Sequence, residues 1–424
     1  MNENYKHIVI VGGGFAGINL AQKLYNHPDF KITVVDQNNY NFFPPLLYQV
    51  ATGFLETSSI SFPYRKLFQG KKNVNFRLGG LVKIMASEKK IILTTSELSY
   101  DYLVLATGTE SNFFGMENVK KNSLPMKTIS DALELRNYLL LTAEKATVTT
   151  DPAERRKLGA IVVAGGGPTG VEISGMLAEM QKSIFAKDYP ELGGTKAKVY
   201  LVDASPTLLS PMSEKSQNYT YEELVKLGVN IKLKTQVKDY VNDTVLLANG
   251  ETIEAKTLIW AAGVTSKQFD GIPLESYGRG RRLLVDAFNK VKGMDFIYAI
   301  GDTCYQDTDK NFPQGHPQVA QVAIQQGKRL AKNFVLLARH KPLVPFAYTD
   351  KGSMAIISRN RAVADLPARL FFRGFIAWMM WLFIHLLSLI NYRNRIKTLY
   401  NWTVAYFTKD QSLRMIVRPK ESQV

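Results

Sequence analysis

The sequence predicts an α/β fold made of two copies of one parallel-sheet unit and completed by an apolar, basic helical tail. Two observations predict the duplication. "IVIVGGGFAG" at 8–17 returns as "IVVAGGGPTG" at 161–170, and "YLVLATG" at 102–108 returns as "LIWAAG" at 258–263. The glycine loops lie 153 residues apart (12 to 165) and the Ala-x-Gly pairs 155 apart (108 to 263). Two independent echoes at nearly one offset are the mark of an internal repeat. A third observation predicts the tail: "FIAWMMWLFIHLLSLI" at 375–390 is the most apolar run, flanked by Arg369, Arg373, Arg393, Arg395 and Lys397.

The first loop has a complete context. "HIVIV" reads as a buried strand, "FAGINLAQKLYNH" continues at helical period, and "KITVVD" reads as the next parallel strand, ending in Asp36. Gly12 permits the tight turn, Gly14 lets backbone amides approach a pyrophosphate, and Gly17 lets helix and strand pack closely. The helix N-terminus then offers free N–H groups to phosphate. Asp36 is expected to accept hydrogen bonds from ribose hydroxyls. Both units are therefore read as Rossmann-like dinucleotide-binding domains.

In the second loop Gly165, Gly167 and Gly170 take the same places, and "AKVYLVDAS" supplies the acid, Asp203. That acid falls 33 residues beyond Gly170 (170 to 203), further than the usual spacing of about 20. An acid there repels a 2′-phosphate and favours NADH over NADPH. The plainer reading of either aspartate is a polar strand end.

Two dinucleotide units suggest two dinucleotides, a nicotinamide that delivers electrons and a flavin that accepts them and passes them on. "MDFIYAIGD" at 294–302 is a strand ending in Gly-Asp. It resembles the flavoprotein motif whose aspartate hydrogen-bonds the flavin ribityl chain, which makes Asp302 the candidate, with a turn or helix-cap aspartate as the plainer reading.

Composition narrows the class. The chain has 424 residues, 46% hydrophobic and 21% charged, enough for two or three folded domains. Its net charge of +16 favours an anionic partner. No zinc-finger spacing, helix-turn-helix cue or RNA-binding aromatic motif is present, so an acidic lipid surface is preferred to nucleic acid. A single cysteine, Cys304, allows no intrachain disulfide, Cys-x-x-Cys pair or four-thiolate cluster. Redox work must then rest on an organic cofactor, and no metal site is expected. A strand pattern from about His7 leaves no room for a secretory signal, pointing to a reducing compartment.

These residues resemble the two-dinucleotide-domain flavoprotein reductases and, more narrowly, type II NADH dehydrogenase, the single-subunit, non-pumping NADH:quinone oxidoreductase family. "NFFPPLLYQVATG" (41–53) looks like the family's stretch beside the flavin, and "PTGVEISGMLAE" (168–179) like its NADH loop and helix. "HPQVAQVAIQQGKRLA" (316–331) is similar to its quinone-side helix, with the Ala-Gln-x-x-x-Gln pattern at Ala320, Gln321 and Gln325. "DKGSMAIISRNRAVAD" (350–365) and the apolar tail complete the match. The resemblance implies FAD and NADH as cofactors and a membrane quinone as acceptor, at the cytoplasmic face of the inner membrane, with a homodimer as one possibility. It implies cofactor contacts at Phe15, Ala16, Leu47, Val82, Thr107, Gly108, Ala320 and Val322, and at Pro168, Thr169, Ala262 and Gly263. Two rivals stay open, a soluble NADH:acceptor reductase of the same fold and a flavin-bearing interaction protein that senses NADH.

Glu172, in the first turn after the second loop, complements the helix dipole on the plain reading. The resemblance implies a role in NADH positioning or proton handling. Gln321 and Gln325 are four apart on one helical face, and amides can donate to quinone carbonyls without presenting a charge. Lys351 is a candidate flavin or proton contact, with an exposed lysine as the alternative; Met354 is a candidate for the quinone wall; His316 reads as structural.

The motif order predicts a discontinuous FAD domain, 1–120 and 270–340, with the NADH domain (121–269) inserted and a membrane-associated region at 341–424. The apolar run makes a helix of about 24 Å, short of a hydrocarbon core of about 30 Å. Ile396, Leu399, Tyr400, Val404 and Phe407 then recur at helical period, as in an interfacial helix. A monotopic anchor is favoured over a spanning or core helix. On this reading, deleting 366–424 leaves a soluble enzyme blind to long-tailed quinones.

Overall fold

The computed structural model describes residues 5–192, 198–408 and 413–417. The chain forms two compact units, one from 1–42, 62–110 and 264–350, the other from 43–61, 111–263 and 351–424.

The first unit is built on a five-stranded parallel sheet in the order Ile297–Ala299, Tyr102–Leu105, Lys6–Val11, Phe30–Asp36, Val74–Leu78. Its central strand is apolar at successive positions because both faces are covered, the rule for parallel sheets. Val9 and Val11 meet Ile84, Ile91 and Leu93 of a three-stranded antiparallel sheet, Leu81–Met85, Lys90–Leu93 and Glu97–Ser99. Helices Phe15–Lys23 and Ala320–Ala338 pack against each other so closely that a Cβ on Gly327 would lie 2.4 Å from the Ala16 carbonyl oxygen.

The second unit repeats the plan. Its parallel sheet runs Leu124–Pro125, Thr257–Trp260, Ala160–Ala164, Lys198–Val202, Asn230–Lys232. One face is covered by the antiparallel strands Val237–Val241, Thr244–Leu247 and Thr252–Glu254, whose Val237, Tyr240, Val245 and Leu247 meet Val162, Ala164 and Trp260. In both units the glycine strand is third, with the Ala-x-Gly strand on one side and the acid strand on the other. The α/β class and the duplicated Rossmann-like sheet are thus as the sequence predicts.

This unit also carries a second antiparallel sheet, Ser353–Ser358, Arg361–Leu366 and Leu370–Arg373, followed by helices Gly374–Ser388 and Tyr392–Thr408. Helix Pro168–Met180 lies against strand Ser353–Ser358, and a Cβ on Gly175 would sit 1.7 Å from the Ile357 carbonyl oxygen. Gly175→Ala must push strand and helix apart. The expected cost is about 1–3 kcal/mol or more, read as a fall in thermal midpoint; an unchanged midpoint would refute the close approach.

The last helix buries polar residues and exposes apolar ones, whereas the helix before it is apolar on its buried and its exposed sides alike. Helix Tyr392–Thr408 points Asn394 and Thr398 inward: the Asn394 amide donates to the Ser59 and Ser61 carbonyls, each at 2.9 Å. Apolar residues of its other face point outward, with Ile396 53% and Tyr400 67% exposed. On helix Gly374–Ser388, Ala377 and Trp381 are buried while Ile376, Met379, Phe383 and Leu387 are exposed along one stripe. No helix among the described residues is long and apolar enough to cross a membrane. His385, which interrupts the apolar run, stacks on Trp381 with centroids 3.8 Å apart, and burial pushes its pKa down to about 4, so it sits there neutral.

Candidate functional site

In the first unit the pairing of Val11 with Val35 brings Asp36 beside the glycine loop. Asp36 accepts hydrogen bonds from the Gly13 and Asn38 amides, both at 2.8 Å. The Gly13 carbonyl is held in turn by the Tyr64 hydroxyl and the Asn41 amide, both at 2.9 Å. Gly12 has φ +106°, and a Cβ there would meet the Ala106 carbonyl at 2.3 Å; one on Gly17 would meet the Gly12 carbonyl at 2.0 Å. Gly14, by contrast, has nothing within 4 Å of its Cβ direction and caps helix Phe15–Lys23. Two glycines are thus demanded by the protein's own packing and the third faces open space at a helix N-terminus, an arrangement that fits a pyrophosphate. Burial raises the Asp36 pKa, opposed by the amides that hold it.

Phe15 and Ala16 open that helix, and Ala16 is buried. Gly108 and Thr107 lie at the end of strand Tyr102–Leu105; the Gly108 amide donates to Thr303 Oγ at 2.9 Å, and Thr107 Oγ is 3.3 Å from the same atom. Asp302 stands beside Thr303 in the turn Gly301–Thr303, and its carbonyl accepts from Ser266 Oγ at 2.9 Å. Val82 is exposed on strand Leu81–Met85. Leu47 is buried in helix Leu47–Ala51 of the second unit.

The second loop reproduces the first. Gly165 has φ +112° with its Cβ direction 2.5 Å from the Ala261 carbonyl, and Gly170 points 1.7 Å from the Gly165 carbonyl. Gly167 faces open space and caps helix Pro168–Met180, whose Pro168 and Thr169 are exposed. Asp203 accepts from the Gly166 amide at 2.5 Å and the Ser205 amide at 2.6 Å. Ala262 and Gly263 follow strand Thr257–Trp260 alongside the loop. The middle glycines, Gly13 and Gly166, were not among the expected residues. Their signal was the unbroken Gly-Gly-Gly in both loops.

Helix Ala320–Ala338 starts at Ala320, with Gln321 in its first turn and Val322 buried beside Phe346 and Tyr348. The Tyr348 hydroxyl reaches Gln321 Oε1 at 3.5 Å. Gln325 is otherwise engaged: its amide nitrogen donates to the Thr349 carbonyl at 2.8 Å, and its oxygen accepts the Thr349 amide at 3.1 Å. Gln326, which sequence reasoning passed over, is fully buried and accepts the Gly301 amide at 2.7 Å, tying this helix to the Asp302 turn. His316 is buried against Asp309 at 2.9 Å, as a structural histidine.

In the second unit Glu172 lines a cavity of about 830 Å³, shared with Tyr48, Gln49, Glu179, Arg359, Trp378, Phe383 and Trp402. Burial pushes its pKa up to about 8; the Ile356 amide, donating at a long 3.4 Å, and the Trp381 indole N–H oppose this weakly. That indole makes no hydrogen bond of normal geometry. Glu179, two turns on, is also raised by burial, against the Arg359 amide and the Arg359 and Arg361 charges. Trp402 Nε1 donates to Gln49 Oε1 at 2.7 Å, and Gln49 Nε2 to the Tyr48 hydroxyl at 2.9 Å, a polar chain entering an apolar chamber. Met354 is half-buried on strand Ser353–Ser358, and Lys351 is exposed just before it.

Two glycine loops of this geometry on duplicated parallel sheets define a two-dinucleotide flavoprotein reductase. Residues 6–327 match the family described as pyridine nucleotide-disulphide oxidoreductase, and residues 351–417 the NDH2 C-terminal domain. The chain is 35% identical to the type II NADH:quinone oxidoreductase NdhA of Mycobacterium tuberculosis, covering 94% of this chain and 87% of that one. It is 31% identical to the type II NADH:quinone oxidoreductase of Haemophilus influenzae, covering 85% and 87%. In structure it is similar to NDH2 from Plasmodium falciparum solved in complex with NADH, with a TM-score of 0.88 at 21% identity over 97% of this chain and 100% of that one. The chain belongs to the type II NADH:quinone oxidoreductase family.

Proposed function

We propose that this chain carries out the family reaction at a membrane surface, with NADH on the Gly165–Gly170 loop and FAD on the Gly12–Gly17 loop. The observation that carries the reading is the pair of complete dinucleotide loops, each with an open glycine at a helix N-terminus. Bound FAD supplies the two-electron chemistry between NADH and the quinone. The chain's residues bind, orient and manage protons. Asp36 and Asp203 fix the loops and keep lone pairs for ribose hydroxyls, Asp302 serves the ribityl chain, and Thr107, Gly108, Ala262 and Gly263 border the two sites. The buried Glu172 carboxyl holds a proton near neutral pH and is the proton store for quinone reduction.

Gln321 is assigned to the quinone carbonyl and Gln325 to holding the Thr349 backbone beside it; Met354 is assigned to the quinone wall, and Lys351 to the flavin or to proton supply. Gln321→Leu is expected to lower quinone-dependent turnover about tenfold or more while NADH still bleaches the flavin at the wild-type rate. Equal loss of both half-reactions would sink the assignment. The outward apolar faces of the last two helices support monotopic docking, and the net charge of +16 favours an acidic leaflet; the cytoplasmic face of the membrane and a homodimer are what the family resemblance implies. The decisive experiment is stopped-flow on purified protein: NADH bleaches a yellow spectrum and a quinone restores it. A colourless protein refutes the proposal.

A further inference from the structure

Phe114 stands out because a bulky side chain occupies a backbone conformation that favours glycine or asparagine. Its φ is +51°, and Gly115 after it has φ +79°, the two positive values of a type I′ turn. The Met116 amide closes that turn on the Phe113 carbonyl at 2.9 Å. The Asn112 side chain accepts the Phe114 amide at 2.9 Å, and the Trp260 indole N–H donates to the Asn112 carbonyl at 2.9 Å. Phe113 stacks on Trp260 with centroids 5.8 Å apart. The loop is therefore over-determined, yet what it holds up is an aromatic ring 61% exposed. Strain kept in place around an exposed ring points to a task outside the fold.

The position says what task. Phe114 stands over the end of strand Thr257–Trp260: its ring meets Trp260 edge-on at 6.4 Å, and a Cβ on Gly263 would lie 2.7 Å from its Cζ. Gly263 has φ +151°, and the ring occupies the space a side chain there would need. The acid strand Lys198–Val202 flanks the glycine strand on one side and Thr257–Trp260 flanks it on the other. Ligands of doubly wound sheets lie across the carboxyl ends of the strands, with the pyrophosphate at the glycine loop and the adenosine ribose at the acid. The other half of the dinucleotide must therefore run toward Ala262, Gly263 and Phe114.

We propose that Phe114 is a binding residue for the nicotinamide half of NADH, its ring packing on the nicotinamide nucleoside as that half leaves the loop. This rests on the placement of NADH at the Gly165–Gly170 loop. The turn pre-orders the ring, so little rotamer freedom is lost when the nucleotide arrives.

The test uses the FAD-loaded full chain and reads flavin bleaching by NADH in stopped flow, beside thermal midpoints. Phe114→Ala and Phe114→Gly are expected to raise the dissociation constant for NADH about three- to tenfold alike, and Phe114→Trp to restore most of it. The glycine variant, at ease with positive φ, is expected to melt a few degrees above the alanine variant. Equal weakening of NADH binding at unequal stability means that the ring itself packs on the nucleotide. An unchanged dissociation constant in the glycine variant, or affinity that follows the melting temperature, overturns the proposal and leaves NADH on its loop. Failure of NADH to bleach the unsubstituted protein overturns the functional reading itself.

Discussion

Glu172→Gln is expected to flatten the pH dependence of stability between about pH 4.5 and 8. The carboxyl has an ordinary pKa of 4.5, and burial raises it to about 8. Below pH 4.5 it is protonated whether the chain is folded or not, and contributes no dependence. As the pH rises toward 8 the unfolded chain releases this proton while the folded one keeps it, so the unfolded state binds fewer protons and stability falls. Each pH unit of that window removes at most about 1.4 kcal/mol, roughly 4–5 kcal/mol in all. Glutamine cannot ionise, so the variant should match the native chain near pH 4.5 and exceed it increasingly toward pH 8, as read from urea midpoints. A difference that is the same at both pH values would show that Glu172 is not held protonated. The same variant separates the two roles the carboxyl could have. If it stores the proton for the quinone, quinone turnover falls about 10²–10⁴-fold and flavin bleaching by NADH persists. If it positions NADH, both fall together.

The duplication was readable in the sequence because its cause is local. Only glycine fits where a Cβ would strike a carbonyl oxygen within the same strand–turn–helix, as at Gly17 and Gly170. Asp203 shows why residue counting alone misleads. Its distance from Gly170 is long because helix and loop intervene, but the register Val202 opposite Ala164 brings it to the Gly166 amide just as Val35 opposite Val11 brings Asp36 to Gly13. Part of that intervening stretch, 193–197, lies outside the described residues. Pairings between distant parts of the chain were not readable. Nothing near Gln326 in sequence announces the Gly301 amide, nor anything near Tyr64 the Gly13 carbonyl. The tail was half legible: its exposed apolar stripe follows from periodicity, whereas the inward pairs Asn394–Ser59 and Trp402–Gln49 join residues more than 300 positions apart.

Those inward pairs change what truncation should do. Removing 366–424 is expected to destroy the second unit, where the sequence suggested that a soluble enzyme would remain. Strand Leu370–Arg373 pairs with Arg361–Leu366, whose edge would be left bare and prone to aggregation. Trp381 is fully buried, edge-on to Tyr48 at 6.5 Å, and removing a buried ring of this size costs about 3–5 kcal/mol by itself. The cavity around Glu172 would open to water with Trp378 and Trp402 gone, and the cause of the raised pKa would go with them. The truncated chain is expected in inclusion bodies or melting more than ten degrees low. Membrane docking is better tested on the outward face. Ile376 and Ile396 are 61% and 53% exposed, and neither lines the cavity. Ile376→Glu with Ile396→Glu should leave the melting midpoint within about a degree and flavin bleaching unchanged. Cosedimentation with vesicles rich in acidic lipid should fall at least tenfold, since two charges replace apolar anchors and repel the leaflet. A double variant that still sediments with vesicles would place the docking surface elsewhere. A truncated chain that folds and still reduces a water-soluble quinone would show that the last two helices are an appendage to the unit and no part of its core.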